Sequence, residues 1–277
     1  MCYSRLNKIK GLDKSPEVMK NIFNDDFERR FGVEFELNSI IPRSKSISML
    51  KKELKTKSKY IKAKGDGSLD DYKGIEIITG VYCGKRGFNL LKLLCSKFKG
   101  LYSADRKCGL HIHLDTRDLT REDLINLHYI YKKIEPYFIY YVRKDRINNS
   151  YCKPLNKIGK GEYIDKDGKT IDNYSPDDRY RAVNFHSLKE HGTIEIRLME
   201  GNIDYEKIKE WLMFHMCVIS YVKKAKDKIF HLKFNKDTFK EILTKELFDS
   251  LMVKINGNKN IVEIDEILKG LVLGGDE

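Results

Sequence analysis

No C-x-x-C pair occurs in the chain, although it holds 6 cysteines. Cys2, Cys83, Cys95, Cys108, Cys152 and Cys217 are scattered, which excludes a zinc knuckle and a disulfide framework. Reduced, buried small side chains are expected instead. No stretch approaches the ~18 apolar residues that a membrane helix needs. The first residues, Met-Cys-Tyr-Ser-Arg-Leu-Asn-Lys, show no apolar core of a signal peptide, so a cytoplasmic protein is expected. Neither G-x-x-x-x-G-K-[ST] nor G-x-G-x-x-G is present, so the P-loop and Rossmann routes to a nucleotide are closed.

What remains is an ordinary globular composition. The 277 residues are 41% hydrophobic and 11% aromatic, enough to bury a real core. Lys and Arg together number 53 and the formal net charge is +12. That charge favours anionic partners such as nucleotides, nucleic acid or acidic substrates, and chooses none of them.

The informative stretch is Cys108-Gly-Leu-His-Ile-His-Leu-Asp115. Side chains two apart share one face of a strand. Leu110, Ile112 and Leu114 therefore bury together, and His111, His113 and Asp115 face the other way. Three more stretches repeat the design. Phe31–Leu37 puts Phe31, Val33, Phe35 and Leu37 opposite Glu34 and Glu36. Gly74–Thr79 puts Ile75 and Ile77 opposite Glu76. Thr193–Leu198 puts Ile194, Ile196 and Leu198 opposite Glu195 and Arg197. If the four strands share one sheet, its polar face gathers Glu34, Glu36, Glu76, His111, His113, Glu195 and Arg197. Solvated sheet faces usually mix in Lys, Thr, Ser and Gln. These four faces carry no lysine in a lysine-rich chain, which points to a functional face.

Around these strands the reading is coarser. Pro16 to Arg30 fits a short helix. Residues 41–64 carry a lysine run, including Lys51, Lys52, Lys55, Lys57, Lys59, Lys62 and Lys64, which reads as a solvated helix face. Gly65-Asp-Gly-Ser-Leu69 is a turn, and its Asp66 is placed to orient an incoming amine. Asn89 to Phe98 has helical spacing, stopped by Gly100. Thr120-Arg-Glu-Asp123 is a capping box opening a helix to about Arg143, kinked or split by Pro136. His128 reads as a packed or surface helix residue, His215 as a packed one, and His186 and His191 as turn or surface residues. Residues 144–180 read as a loop insertion over the site. Asp204 caps a helix from Tyr205 to about Lys226. The expected organisation is an extension over 1–30, a catalytic domain over 31–227 that includes the 144–180 flap, and a helical extension over 228–277.

Carboxylates with an imidazole suit Mg²⁺ or Mn²⁺. Arg181 and Arg197 offer the fixed, bidentate donors that phosphate favours. Metal and arginine on one sheet can hold ATP phosphates and stabilise phosphoryl transfer. Two other classes stay open. His111-x-His113 with acids also suits a metal-dependent hydrolase or phosphodiesterase. The +12 charge and the Lys51–Lys64 run suit a nucleic-acid-binding protein, although only Tyr60 interleaves that run where stacking would want more aromatics.

The ordered set Gly32-Val-Glu-Phe-Glu36, Asp66-Gly-Ser68, Glu76-Ile-Ile-Thr79, Cys108-Gly-Leu-His-Ile-His113, Arg181 with Asn184, and Thr193-Ile-Glu-Ile-Arg-Leu198 resembles the amidoligase family. Its members are carboxylate–amine ligases with a glutamine-synthetase-like fold. The resemblance runs from about Phe31 to Val222. It implies an α+β fold whose antiparallel sheet presents an open polar face as the active site, with helices on the other face. It also implies ATP and Mg²⁺ (or Mn²⁺) as cofactors. A carboxylate substrate would become an acyl phosphate, and an amine substrate would then displace phosphate to give an amide. The pair could be peptides, amino acids or cell-wall-type molecules. Glu34, Glu36, Glu76, His111 and Glu195 would be metal ligands. His113 would stand behind the metal ligands or face the nucleotide, and Arg181, Asn184 and Arg197 would face the nucleotide, the two arginines holding the transferring phosphoryl group. Asp66 would orient or deprotonate the amine.

Overall fold

The computed structural model describes residues 25–69, 72–147, 149–155, 179–225 and 235–257. Its centre is β1, Phe31–Ser39, whose burial alternates strictly along nine residues. Phe31, Val33, Phe35 and Leu37 are shut off from solvent, while Glu34 and Glu36 line the opposite, half-buried face.

Six further strands complete one sheet among the described residues: β2 (Ile61–Gly65), β3 (Gly74–Thr79), β4 (Tyr102–Ser103), β5 (Gly109–Asp115), β6 (Val183–Asn184) and β7 (Thr193–Glu200). The order across it is β2-β3-β1-β5-β7-β6, with β4 added beside the end of β1. Every strand pair is antiparallel. With its helices, this is an α+β architecture.

The helices are α1 (Arg43–Leu54), α2 (Gly84–Phe98), α3 (Arg121–Ile134), α4 (Lys144–Ile147), α5 (Ser187–His191), α6 (Tyr205–Ala225), α7 (Lys236–Ile242) and α8 (Lys245–Gly257). Helix α2 lies under β1, with Phe98 edge-on to Phe35 at 4.9 Å and Phe88 against Phe31 at 5.1 Å. Helices α3 and α6 extend the same continuous core. Trp211 of α6 is fully buried, packed edge-on to Phe138 at 5.3 Å. At about 25 cal/mol per Å² of apolar surface, this sheet–helix core is the main stabilising term.

Helix ends follow the sequence signals. Thr120 Oγ1 accepts from the Asp123 N–H at 3.1 Å, and Asp123 Oδ2 accepts from the Thr120 N–H at 2.9 Å. Helix α3 stops at Ile134 and the chain continues as a 3₁₀ turn, Glu135–Tyr140. Pro136 sits at the start of that turn, where its missing N–H costs least. Asp204 Oδ1 caps α6 by accepting from the Glu206 N–H at 2.9 Å. Helices α7 and α8 close over this turn and α6, with Phe239 against Tyr137 at 4.7 Å and Lys254 on Glu210 at 2.6 Å.

The lysine run departs from the expected helix. Helix α1 ends at Leu54, Lys55 takes a positive φ of 50°, and a 3₁₀ turn over Lys55–Tyr60 leads into β2. Ile61 and Ala63 turn towards the core, and Lys62 and Lys64 towards the polar side. Lysines on an edge strand discourage pairing with a second sheet. Of the helix expected over Pro16–Arg30, only a 3₁₀ turn at Asp25–Glu28 falls within the described residues. The 144–180 segment is described at its two ends alone, and the 228–277 extension over 235–257.

Candidate active site

Strand register assembles the polar face. Glu34 pairs with His111, His113 with Glu195, and Glu36 with Glu76. All seven polar-face residues expected from the four alternating strands line one cleft of about 910 Å³. Its floor is the sheet. Its walls come from the β2–β3 turn, the β4–β5 loop, α5, and the two ends of the 144–180 segment.

The centre is a knot of two imidazoles and three carboxylates. His111 Nδ1 lies 3.4 Å from both Glu34 Oε2 and Glu195 Oε1, and its Nε2 lies 3.5 Å from Glu36 Oε1. His113 Nε2 lies 3.4 Å from Glu34 Oε1 and 3.9 Å from Glu195 Oε1. Burial pushes the Glu34 carboxyl upward, but the His111 and His113 imidazoles set against it hold it well below the usual carboxylate range. Glu195 follows the same balance: burial raises it, and Arg197, His111 and His113 bring it below the ordinary value. Burial opposes a proton on His113, and Glu34 and Glu195 outweigh it to raise its affinity for one.

Glu34, His113 and Glu195 each offer a ligand atom, and the three atoms lie within 4.8 Å of one another. His113 Nε2 is buried, faces Glu34 and Glu195, and among the described residues has no formed hydrogen bond. Its other nitrogen, Nδ1, meets Thr193 Oγ1 at 3.1 Å and Ser187 Oγ at 3.4 Å. A histidine anchored at Nδ1 with Nε2 turned towards two carboxylates has the donor set of a divalent cation site. The structure thus groups His113 directly with Glu34 and Glu195.

Glu195 is fixed from both sides. Asn184 Nδ2 donates to its Oε2 at 2.6 Å, and Arg197 Nη1 to its Oε1 at 2.5 Å. Asn184 therefore reaches the cleft by orienting a carboxylate. Glu36 is partly committed to the backbone, accepting from the Gly109 N–H at 2.6 Å. Glu76 stands one strand further out and pairs with Lys64 at 2.6 Å. Burial, with the charges of Glu34 and Asp66, still raises Glu76 above the ordinary carboxylate value. Asp66 lies on the cleft wall, its Oδ1 accepting from the Ser68 N–H and hydroxyl at 2.8 and 2.7 Å. Arg181 is not among the described residues lining the cleft; its backbone bridges to Lys153, and its neighbours Arg179 and Tyr180 occupy the wall instead.

A family model described as "Putative amidoligase enzyme" matches residues 45–219. The chain belongs to that amidoligase family. No curated protein matches the chain. The matched span runs from α1 into α6 and carries β3, β5 and β7. Strand β1, with Glu34 and Glu36, precedes it, and the sheet places β1 between β3 and β5. Family membership agrees with a ligase. No helix among the described residues is long and apolar enough to cross a membrane.

Several site residues were invisible at the level of motifs. Lys64 was read as part of a solvated helix. Arg146 is buried beside Gly109: a Cβ on Gly109 would meet Arg146 Nη2 at 3.0 Å, Glu36 Oε2 at 3.0 Å and His111 Nε2 at 3.1 Å. Between Leu110 and Ile112 the β5–β7 register slips, so that His111 alone faces both Arg197 and Leu198. This is a β-bulge, which disrupts the ladder and re-aims a side chain. Arg146 donates to both bulge carbonyls, Leu198 at 3.2 Å and Arg197 at 2.9 Å. The one available signal was the arginine itself, next to a predicted loop.

Proposed function

We propose that the protein is an ATP-dependent carboxylate–amine ligase that forms an amide bond through an acyl phosphate. The observation that carries the reading is the Glu34–His113–Glu195 group, with Arg197 held on Glu195, at the floor of an open cleft in a chain of the amidoligase family. Mg²⁺ or Mn²⁺ fits this donor set: two carboxylates and an imidazole whose buried nitrogen faces both of them. Glu34, His113 and Glu195 would hold it, with His111 and Glu36 beside them; Glu76, one strand away, is the outer acid. Bound there, the cation would neutralise charge on the ATP phosphates.

The chain's own residues supply the rest. Arg197 offers a planar guanidinium to the transferring phosphoryl group from a fixed position. Asn184 keeps Glu195 oriented, and the Thr193 and Ser187 hydroxyls keep His113 oriented. The substrate carboxylate would attack the γ-phosphorus of ATP and release ADP. An amine nitrogen would then attack the acyl carbon and expel phosphate, leaving its proton to a nearby carboxylate. Asp66 on the cleft wall would take that proton and draw a cationic amine in. Phosphoryl transfer of this kind is catalysed by positioning and electrostatics more than by covalent chemistry with the protein.

The test is ADP release in the presence of mixed carboxylates and amines. Turnover should require both, and Glu34→Gln should abolish it while the circular dichroism spectrum stays native. Glu34 is the better probe than Glu36, which also holds the Gly109 backbone. Hydrolysis of esters or phosphodiesters without ATP would instead assign the cleft to a metal-dependent hydrolase.

A further inference from the structure

The cleft is chemically uneven. On the β2–β3 side it is lined by Lys64, Asp66, Ser68 and Glu76, and on the α5 side by His186, Glu190 and His191. Arg106 and Lys107 of the β4–β5 loop, Arg179, and Arg197 of the sheet floor also line it, with two tyrosines, Tyr151 and Tyr180. Among the described residues lining the cleft, those two tyrosines are its aromatic side chains apart from the histidines.

The tyrosines form a built platform. Their rings meet edge to face with centroids 5.6 Å apart. Arg179 lies over the Tyr180 ring at 4.7 Å, and Arg197 stands 5.9 Å from it. Arg197 Nε also donates to the Tyr151 carbonyl at 3.2 Å. Tyr180 is half-buried, and Tyr151 is 54% exposed, one of the few large apolar or aromatic side chains so placed among the described residues. Arg197 links the two chemistries: it is held on Glu195 of the carboxylate–imidazole group and on the Tyr151 carbonyl of the aromatic pair. A nucleoside triphosphate asks for the same combination: a metal and a cation for its phosphates, then a flat surface for its base. Stacking on an exposed aromatic is how proteins hold a base with little regard to its hydrogen-bonding edge.

We propose that Tyr151, backed by Tyr180, is the stacking platform for the base of the nucleoside triphosphate, so that the nucleotide lies past Arg179 and Arg197. The two acid-bearing sides are then left to the carboxylate and amine substrates. The inference rests on the phosphoryl-transfer reading of the cleft.

The test compares ATP with inorganic tripolyphosphate, each with Mn²⁺, by calorimetry on wild type, Tyr151→Leu and Tyr151→Trp. Tripolyphosphate carries the charge without the base. ATP should bind wild type about ten-fold more tightly than tripolyphosphate. Tyr151→Leu should bring ATP down to the tripolyphosphate level and leave tripolyphosphate unchanged, and Tyr151→Trp should keep the preference. An unchanged preference in Tyr151→Leu, or an equal loss for both ligands, would overturn the platform while the phosphoryl-transfer reading stands. Binding of neither ligand to wild type would overturn both.

Discussion

Replacing Arg146 by Met should destabilise the protein by about 4 kcal/mol. The residue is 3% exposed, and its guanidinium donates to the carbonyls of Leu198 and Arg197 where β7 bulges. Methionine fills much of the same volume and offers no donor. Two buried carbonyls then lose a charged partner, at roughly 1–3 kcal/mol each. The sum, about 2–6 kcal/mol, is a large share of the 5–15 kcal/mol by which domains are usually stable. Arg146→Lys separates the parts. A single ammonium cannot span two carbonyls as the planar fork does, so about half of the loss should return. The assay is urea unfolding followed by circular dichroism, with the midpoint shifting and the slope unchanged. A Met variant within about 0.5 kcal/mol of wild type would show that the bulge does not depend on Arg146.

Thr193→Val should weaken Mn²⁺ binding about ten-fold, read by electron paramagnetic resonance, because His113 loses the hydroxyl that fixes Nδ1; Thr193→Ser should restore it, and equal affinity in all three proteins would refute the anchoring role. His128 and His215 predict acid sensitivity. Burial pushes both down to about 3, with Lys132 adding to the effect on His128. Above about pH 6.5 both are neutral in folded and unfolded chains, and their share of stability is intact. Below it the unfolded chain takes up protons that the folded chain refuses, at about 1.4 kcal/mol per pH unit for each histidine. Urea midpoints at pH 7 and pH 5 should therefore differ less in His215→Phe than in wild type; identical differences would show that His215 is not kept neutral by the core.

Period-two alternation was enough to read β1, β3, β5 and β7, because each pairs a run of Phe, Val, Ile and Leu with acids or histidines on the other face. It was also enough to gather the seven polar-face residues, since strand faces follow from alternation wherever one side is buried. Strand β2 was hidden by its two lysines in five residues, which have low strand propensity and belong to a longer lysine run. Lys64 was lost with it. The β7 bulge leaves no mark in Thr193–Glu200, because it comes from the register against β5 and not from local propensity. Arg146, Tyr151, Arg179 and Tyr180 flank a long insertion, and no local pattern says that its two ends return to the same wall. The role of Asn184, orienting Glu195, depends on a two-residue strand too short to see.

The most direct measurement is binding of a non-hydrolysable ATP analogue with Mg²⁺ or Mn²⁺, wild type against Glu34→Gln. Binding should need the metal and fall at least ten-fold in Glu34→Gln. Absence of binding with either metal, or binding that ignores both the metal and the substitution, would contradict a metal-dependent nucleotide site.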